Sequence, residues 1–200
     1  MPLLRVLLSE MRRSPHFPPA ALVALALVLV PARPAPGATS APVTLDALVA
    51  SSDMVVYGRV VGGQSFWDAA TRTIWTSTQI AVLDAAKGRP GATVLVTEPG
   101  GVVGDTGHLF PGVPRFAPNQ EVVAFLYQAP GDRVRVVGLW QGIYGVSVDP
   151  ATGERLARPA AGKPETVYQE LRVLQPPGAA PATRRLGELL LQIRERAGSR

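Results

Sequence analysis

The chain has no cysteine, and among its 200 residues there are only two histidines and two lysines. The first absence removes thiol nucleophiles, cysteine-bound zinc and iron–sulfur ligation together. It also leaves no disulfide to staple the fold, so a packed core must hold it. Two histidines, His16 and His108, are few for zinc, which usually takes three or four protein ligands. Phosphate-binding motifs are missing too. No G-x-x-x-x-G-K-S/T or G-x-G-x-x-G sequence occurs, no serine sits in a G-x-S-x-G elbow, and no acidic run has calcium-loop spacing. The sequence therefore gives no catalytic residue, no metal ligand set and no cofactor site.

Basic residues exceed acidic ones, 20 to 15. The excess is concentrated early. Residues 39–200 hold sixteen of the basic and fourteen of the acidic side chains. No Lys/Arg run is interleaved with aromatics and no helix reads as uniformly basic, so nucleic acid is not the expected partner.

Arg12 and Arg13 precede an apolar run, Ala20 to Val30, and then the Pro/Ala-rich stretch PARPAPGATSA. A basic region, an apolar core and small residues after it make residues 1–38 a signal peptide, with Met11 a tidier start than Met1. The apolar run is shorter than the ~20 residues a bilayer span needs. The expectation is an exported protein, periplasmic or extracellular, with no stable membrane span after cleavage at Ala38; a signal kept as an anchor is the alternative.

Beyond residue 43 the pattern changes to short alternating runs. TLDALVASSD reads as a helix capped by Thr44. MVVYGRVVGGQSFW is a strand in which Met54, Val56, Gly58 and Val60 alternate with Val55, Tyr57, Arg59 and Val61. A second strand follows Thr71, with Ile74, Thr76, Thr78, Ile80 and Val82 on one face. Thr93–Thr97, NQEVVAFLYQ, DRVRVVGLW and GIYGVSVD supply four more, divided by Gly/Pro turns. After Pro150 the reading is a loop with a short helix over PETVYQELRVLQ, to residue 182. An amphipathic helix over 183–200 then carries Leu186, Leu189, Leu190 and Ile193 on one side. Five or six strands with one helix before and one or two after predict a mainly β barrel or sandwich over residues 39–149.

The stretch EPGGVVGDTGHLFPGVPRF, residues 98–116, reads as a long connection between strands. Long connections are commonly functional. Glycine and proline shape it, and Leu109, Phe110, Val113 and Phe116 give it apolar side chains. Two uses fit: a lid folded over one end of the sheet, or a contact surface built from Gly100, Gly101, Asp105, His108, Leu109, Phe110, Val113, Arg115 and Phe116. Phe66, Trp67 and Trp140 are the aromatics expected to be exposed, whereas Trp75 lies in strand alternation and reads as packing.

SDMVVYGRVV, STQIAVLDAAKG, ATVLVTEPGG, NQEVVAFLYQ and RVVGLWQG follow one another across residues 44–148 with the order of a netrin-like module. The chain resembles that family, whose OB-type barrel is found in the tissue inhibitors of metalloproteinases. It is also similar to a group of small exported bacterial proteins, some of them near matrixin-type metalloproteases. The resemblance implies an OB-like barrel over residues 39–149 and a non-catalytic protein-binding module, with an exported metalloprotease as a partner. Animal inhibitors chelate the protease zinc through an N-terminal cysteine, and here there is none, so the resemblance carries the fold and not that mechanism. The alternatives are an envelope assembly factor docking through its last helix, and a hydrolase using His108.

Overall fold

The computed structural model describes residues 43–160 and 183–199. The expected signal peptide, residues 1–38, and the helix expected over PETVYQELRVLQ lie outside the described residues. The described chain is mainly β, with a short helix at its start and a longer one at its end.

Helix α1, Leu45–Ser51, begins as its sequence predicts: the Thr44 hydroxyl accepts the Ala47 N–H at 3.2 Å. Its last carbonyls are closed from a distance. Lys87 Nζ donates to Val49 O at 2.7 Å and to Ser52 O at 2.6 Å.

The strands are β1 (Met54–Asp68), β2 (Thr73–Lys87), β3 (Thr93–Pro99), β4 (Gly101–Val103) and β5 (Thr106–His108). They are followed by β6 (Glu121–Ala129), β7 (Arg133–Val136), β8 (Ile143–Val148), β9 (Arg155–Pro159) and β10 (Arg184–Arg185), before helix α2, Leu186–Gly198. β1 runs antiparallel to β2 from Val55 to Asp68, and its first part, Met54–Arg59, pairs with β6 on the other side. β2 pairs with β3, β3 meets β7 in parallel at Val96↔Val134, and β7 returns to β6. The pairings of these five strands thus run in a cycle, β1–β2–β3–β7–β6–β1. β8, β9 and β10 continue outward from β6.

Two apolar clusters explain why β1 and β6 are so uniformly hydrophobic. Val56, Val60, Val122, Ala124 and Leu126 face one cluster together with Ile80, Val94, Val96 and Ile143. Their neighbours Val55, Tyr57, Val123 and Phe125 face the other, against α1 and α2. Strands buried on both faces lose the polar half of the alternation. Leu186, Leu189, Leu190 and Ile193 of α2 are all buried there, so the apolar stripe covers the sheet. Its arginines turn to neighbours: Arg194 to Asp84 at 2.6 Å and Arg196 to Asp46 at 2.5 Å. Gly58 lets β1 and β2 approach, since a Cβ there would meet Ala81 O at 2.5 Å and Ile80 Cγ2 at 2.6 Å.

Three local readings are corrected. The strand read over MVVYGRVVGGQSFW runs on to Asp68 through a register shift at Val60/Gly62, and the turn to β2 is only residues 69–72. Arg155–Pro159, read as loop, is a strand paired with β8. Residues 98–116 are not one irregular connection: Glu98 and Pro99 end β3, and β4 and β5 form a separate two-stranded sheet.

Candidate functional site

Beyond Arg59, β1 loses β6 as a partner and continues with β2 as a two-stranded arm. The Asp68 carboxylate shapes its tip by accepting the Ala70 N–H at 2.9 Å. Register pairs Ser65 with Thr76 and Trp67 with Ile74, and successive residues alternate, so Phe66 and Trp75 share the opposite face.

The β4–β5 hairpin lies as a flap over the first of these faces. Its turn is the two residues Gly104 and Asp105, between paired Val103 and Thr106. Contact with the arm is made at Gly101, whose Cβ would sit 2.3 Å from Ser65 Oγ and 2.4 Å from Thr76 Oγ1. Its φ of +133° is a second reason for glycine. The Ser65 and Thr76 hydroxyls bond to each other at 2.8 Å, and Thr76 Oγ1 donates to Gly100 O at 2.6 Å. Ile74 holds both roots of the flap. Its carbonyl accepts the Gly100 N–H at 2.7 Å, and its N–H is accepted by His108 Nδ1 at 3.2 Å. The Trp67 ring meets the imidazole edge to face, centroids 5.7 Å apart.

The expected contact residues divide into anchors and surface. Gly100 and Gly101 are buried in the root, where they serve as anchors. Phe116 likewise packs against the cluster around Val56 and Ile80. His108 and Val113 are half-buried, while Asp105 and Arg115 are exposed. Leu109 is 50% and Phe110 38% exposed, and Trp67 is 49% exposed. Phe66 is exposed too, but on the other face of the arm, beside Trp75. Trp140 is half-buried and its N–H donates to Gly112 O at 3.0 Å, tying the far end of the loop to the turn Leu139–Gly142. Val102, 63% exposed on β4, belongs to the surface and was not foreseen. Its signal was present: Gly-Asp flanked by Val103 and Thr106 is a two-residue hairpin sequence.

Trp75 is not core. The Arg133 guanidinium stacks on it at 4.1 Å, with Arg135 at 5.7 Å from the same centroid. Each cation is matched by a carboxylate, Asp68 for Arg133 and Glu98 for Arg135. The Arg133 hydrogen bond holds the Asp68 carboxyl below its ordinary value. A third polar group, also missed, surrounds Glu121. It accepts from Tyr57 Oη at 2.6 Å and Arg59 Nη2 at 2.7 Å, with Arg155 Nε at 3.5 Å. Arg59 and then Tyr57 hold the Glu121 carboxyl down, while burial and then Glu121 push the Tyr57 hydroxyl up. An open recess of about 440 Å³ lies beside it, between Arg59, Asn119 and Val148.

No family model, no curated protein and no solved structure matches this chain. Its chemistry has to be read from the side chains themselves. Glu98, Asp68 and Glu121 are each engaged by arginines, the arrangement of structural ion pairs. His108 Nδ1 is occupied by a backbone N–H, and among the described residues no serine or threonine hydroxyl is bonded to the ring. Among the described residues no three His, Cys, Asp or Glu side chains gather to hold a metal, and no helix is long and apolar enough to cross a membrane. What the site offers is shape: exposed apolar side chains on a base fixed by backbone hydrogen bonds.

Proposed function

We propose that this protein is an exported, non-catalytic protein-binding module built on an OB-type barrel, with the β4–β5 flap and the loop behind it as its contact surface. The cyclic pairing of five strands and the parallel step between β3 and β7 support the barrel. The signal-like segment before residue 39 supports export. The observation that carries binding is the exposure of Trp67, Val102, Leu109 and Phe110 around a flap rooted on Ile74 and Thr76. Apolar side chains held out on a fixed base lose little conformational freedom on docking, which favours association.

The netrin-like resemblance points to a secreted metalloprotease as the partner. Without an N-terminal cysteine, contact falls to the flap rather than to the protease zinc. Docking through α2 is disfavoured because its apolar face is occupied by the core.

The test begins with cross-linking the purified protein in the exported fraction of its own source and identifying what is retained. Leu109→Ser together with Phe110→Ser is then measured against that partner. Burial of each side chain is worth about 1.5–3 kcal/mol, so the double variant should bind at least about tenfold more weakly. Equal affinity of the two forms, or no retained protein, overturns the proposal.

A further inference from the structure

The flap is fastened by a bond that a proton can break. The Ile74 N–H has His108 Nδ1 as its acceptor, and an imidazole offers that lone pair only when neutral, with its proton on Nε2. Ile74 is 0% exposed, so water does not reach the N–H while the flap is closed. Adding a proton at Nδ1 sets two N–H groups against each other and leaves a buried donor without a partner. We propose that His108 is an acid-sensitive latch whose protonation releases the β4–β5 flap from the arm, uncovering Ile74 and Trp67. This inference rests on the proposed contact role of the flap for its use, although the latch itself needs no partner.

Among the described residues nothing stands ready to keep an imidazolium in place. From β1, Asp68 follows Trp67, but its carboxylate is bonded to Arg133. Before β4, Glu98 is bonded to Arg135 and to the Val136 N–H. β2 presents Thr73, Ile74 and Trp75, with Arg72 before them in the turn, and β4 presents no charge. On the flap itself Asp105 sits exposed at the turn, and Arg115 is exposed in the loop beyond. Among the described residues none of these bonds to the ring, which meets the Ile74 N–H and, in edge-to-face contact, the Trp67 ring. The Trp67 ring supplies no acceptor to the stranded N–H. Free imidazole takes up its proton near pH ~6.5, inside the range of mildly acidic compartments.

Opening also removes two bonds that share the same root, Gly100 N–H to Ile74 O and Thr76 Oγ1 to Gly100 O. Hydrogen exchange of the Ile74 and Gly100 amides therefore reads the latch directly, on the full protein alone. Between pH 7.5 and 5.0, protection of both, corrected for intrinsic exchange, should fall at least about tenfold. A tenfold change corresponds to about 1.4 kcal/mol. Val123 and Phe125, in the core, should keep theirs. His108→Asn, which retains an acceptor oxygen on a short side chain, should remove the pH response. Constant protection of Ile74 in the native protein, or a response that persists in His108→Asn, overturns the latch. If that variant does not fold, the native protein decides: the Ile74 amide and His108 ring signals must titrate together in NMR, and separate midpoints overturn the proposal. A working latch with no protein partner would refute the binding function and leave this inference standing. A bound partner with a flap insensitive to acid would do the reverse.

Discussion

Replacing Glu98 tests how the strand cycle is closed. β3 and β7 share only the Val96↔Val134 register pair, a thin seam compared with the long β1–β2 ladder. Glu98 reinforces it with its side chain: Oε1 accepts the Val136 N–H at 2.6 Å, and Oε2 accepts Arg135 Nε at 3.2 Å and Nη2 at 3.0 Å. Glu98 is 4% exposed and Val136 is also 4% exposed, so truncation to alanine strands a buried N–H, at a cost of about 1–3 kcal/mol. Breaking a fully buried pair costs about 3–5 kcal/mol. The Arg135 side chain keeps 26% exposure and its stack on Trp75, so its share is smaller. Glu98→Ala should therefore lose about 3 kcal/mol in all, within the range set by an orphaned donor and a half-hydrated cation. Glu98→Gln retains an acceptor for Val136 and loses only the charge, so about 1–1.5 kcal/mol is expected, the difference between a hydrogen bond to a charged group and one to a neutral group. Urea unfolding of the purified protein reads both, as a shift in midpoint with unchanged slope. An alanine variant within about 0.5 kcal/mol of the native protein, the ordinary scatter of surface substitutions, would refute the seam. So would a glutamine variant as damaged as the alanine one.

Two further outcomes follow from the packing and the charges. Leu189, 0% exposed under α2, should cost about 2–5 kcal/mol as Leu189→Ala, read by the same urea midpoint; a smaller loss would mean that α2 is peripheral to the fold. Stability should also fall in acid through Glu121, whose folded carboxyl is held below its ordinary value by Arg59 and Tyr57. A depressed carboxyl contributes fully above its unfolded pKa, near ~4.3, and loses that contribution as pH falls through the lower folded value. Arg59 is 54% exposed, so the effect is screened to about 1 kcal/mol or less. The urea midpoint should drop between pH 5 and 3, and Glu121→Gln should flatten that drop; parallel curves would contradict it.

How far the sequence discloses this arrangement depends on where burial lies. In β2 one face meets the core, so Ile74, Thr78 and Ile80 stand out against exposed Gln79 and Leu83, and the alternation reads directly. The stripe on α2 is legible for the same reason. β4 and β5 are three residues each, too short for periodicity, and only the Gly104–Asp105 turn betrays them. β9 is hidden because its fully buried residue, Ala157, is bracketed by half-buried and exposed neighbours, with Arg155 and Arg158 at the surface. The glycine-rich stretch illustrates the limit more sharply. Residue types singled out Gly100 and His108, yet their roles come from the Ile74 C=O and N–H, 34 residues from His108 along the chain. Backbone groups are identical at every position, so no pattern of side chains announces which of them a histidine or a glycine will meet. A loop rich in glycine can therefore be recognised as shaped from its sequence, whereas what it is fastened to, and what would unfasten it, is settled only by the register of the strands beneath.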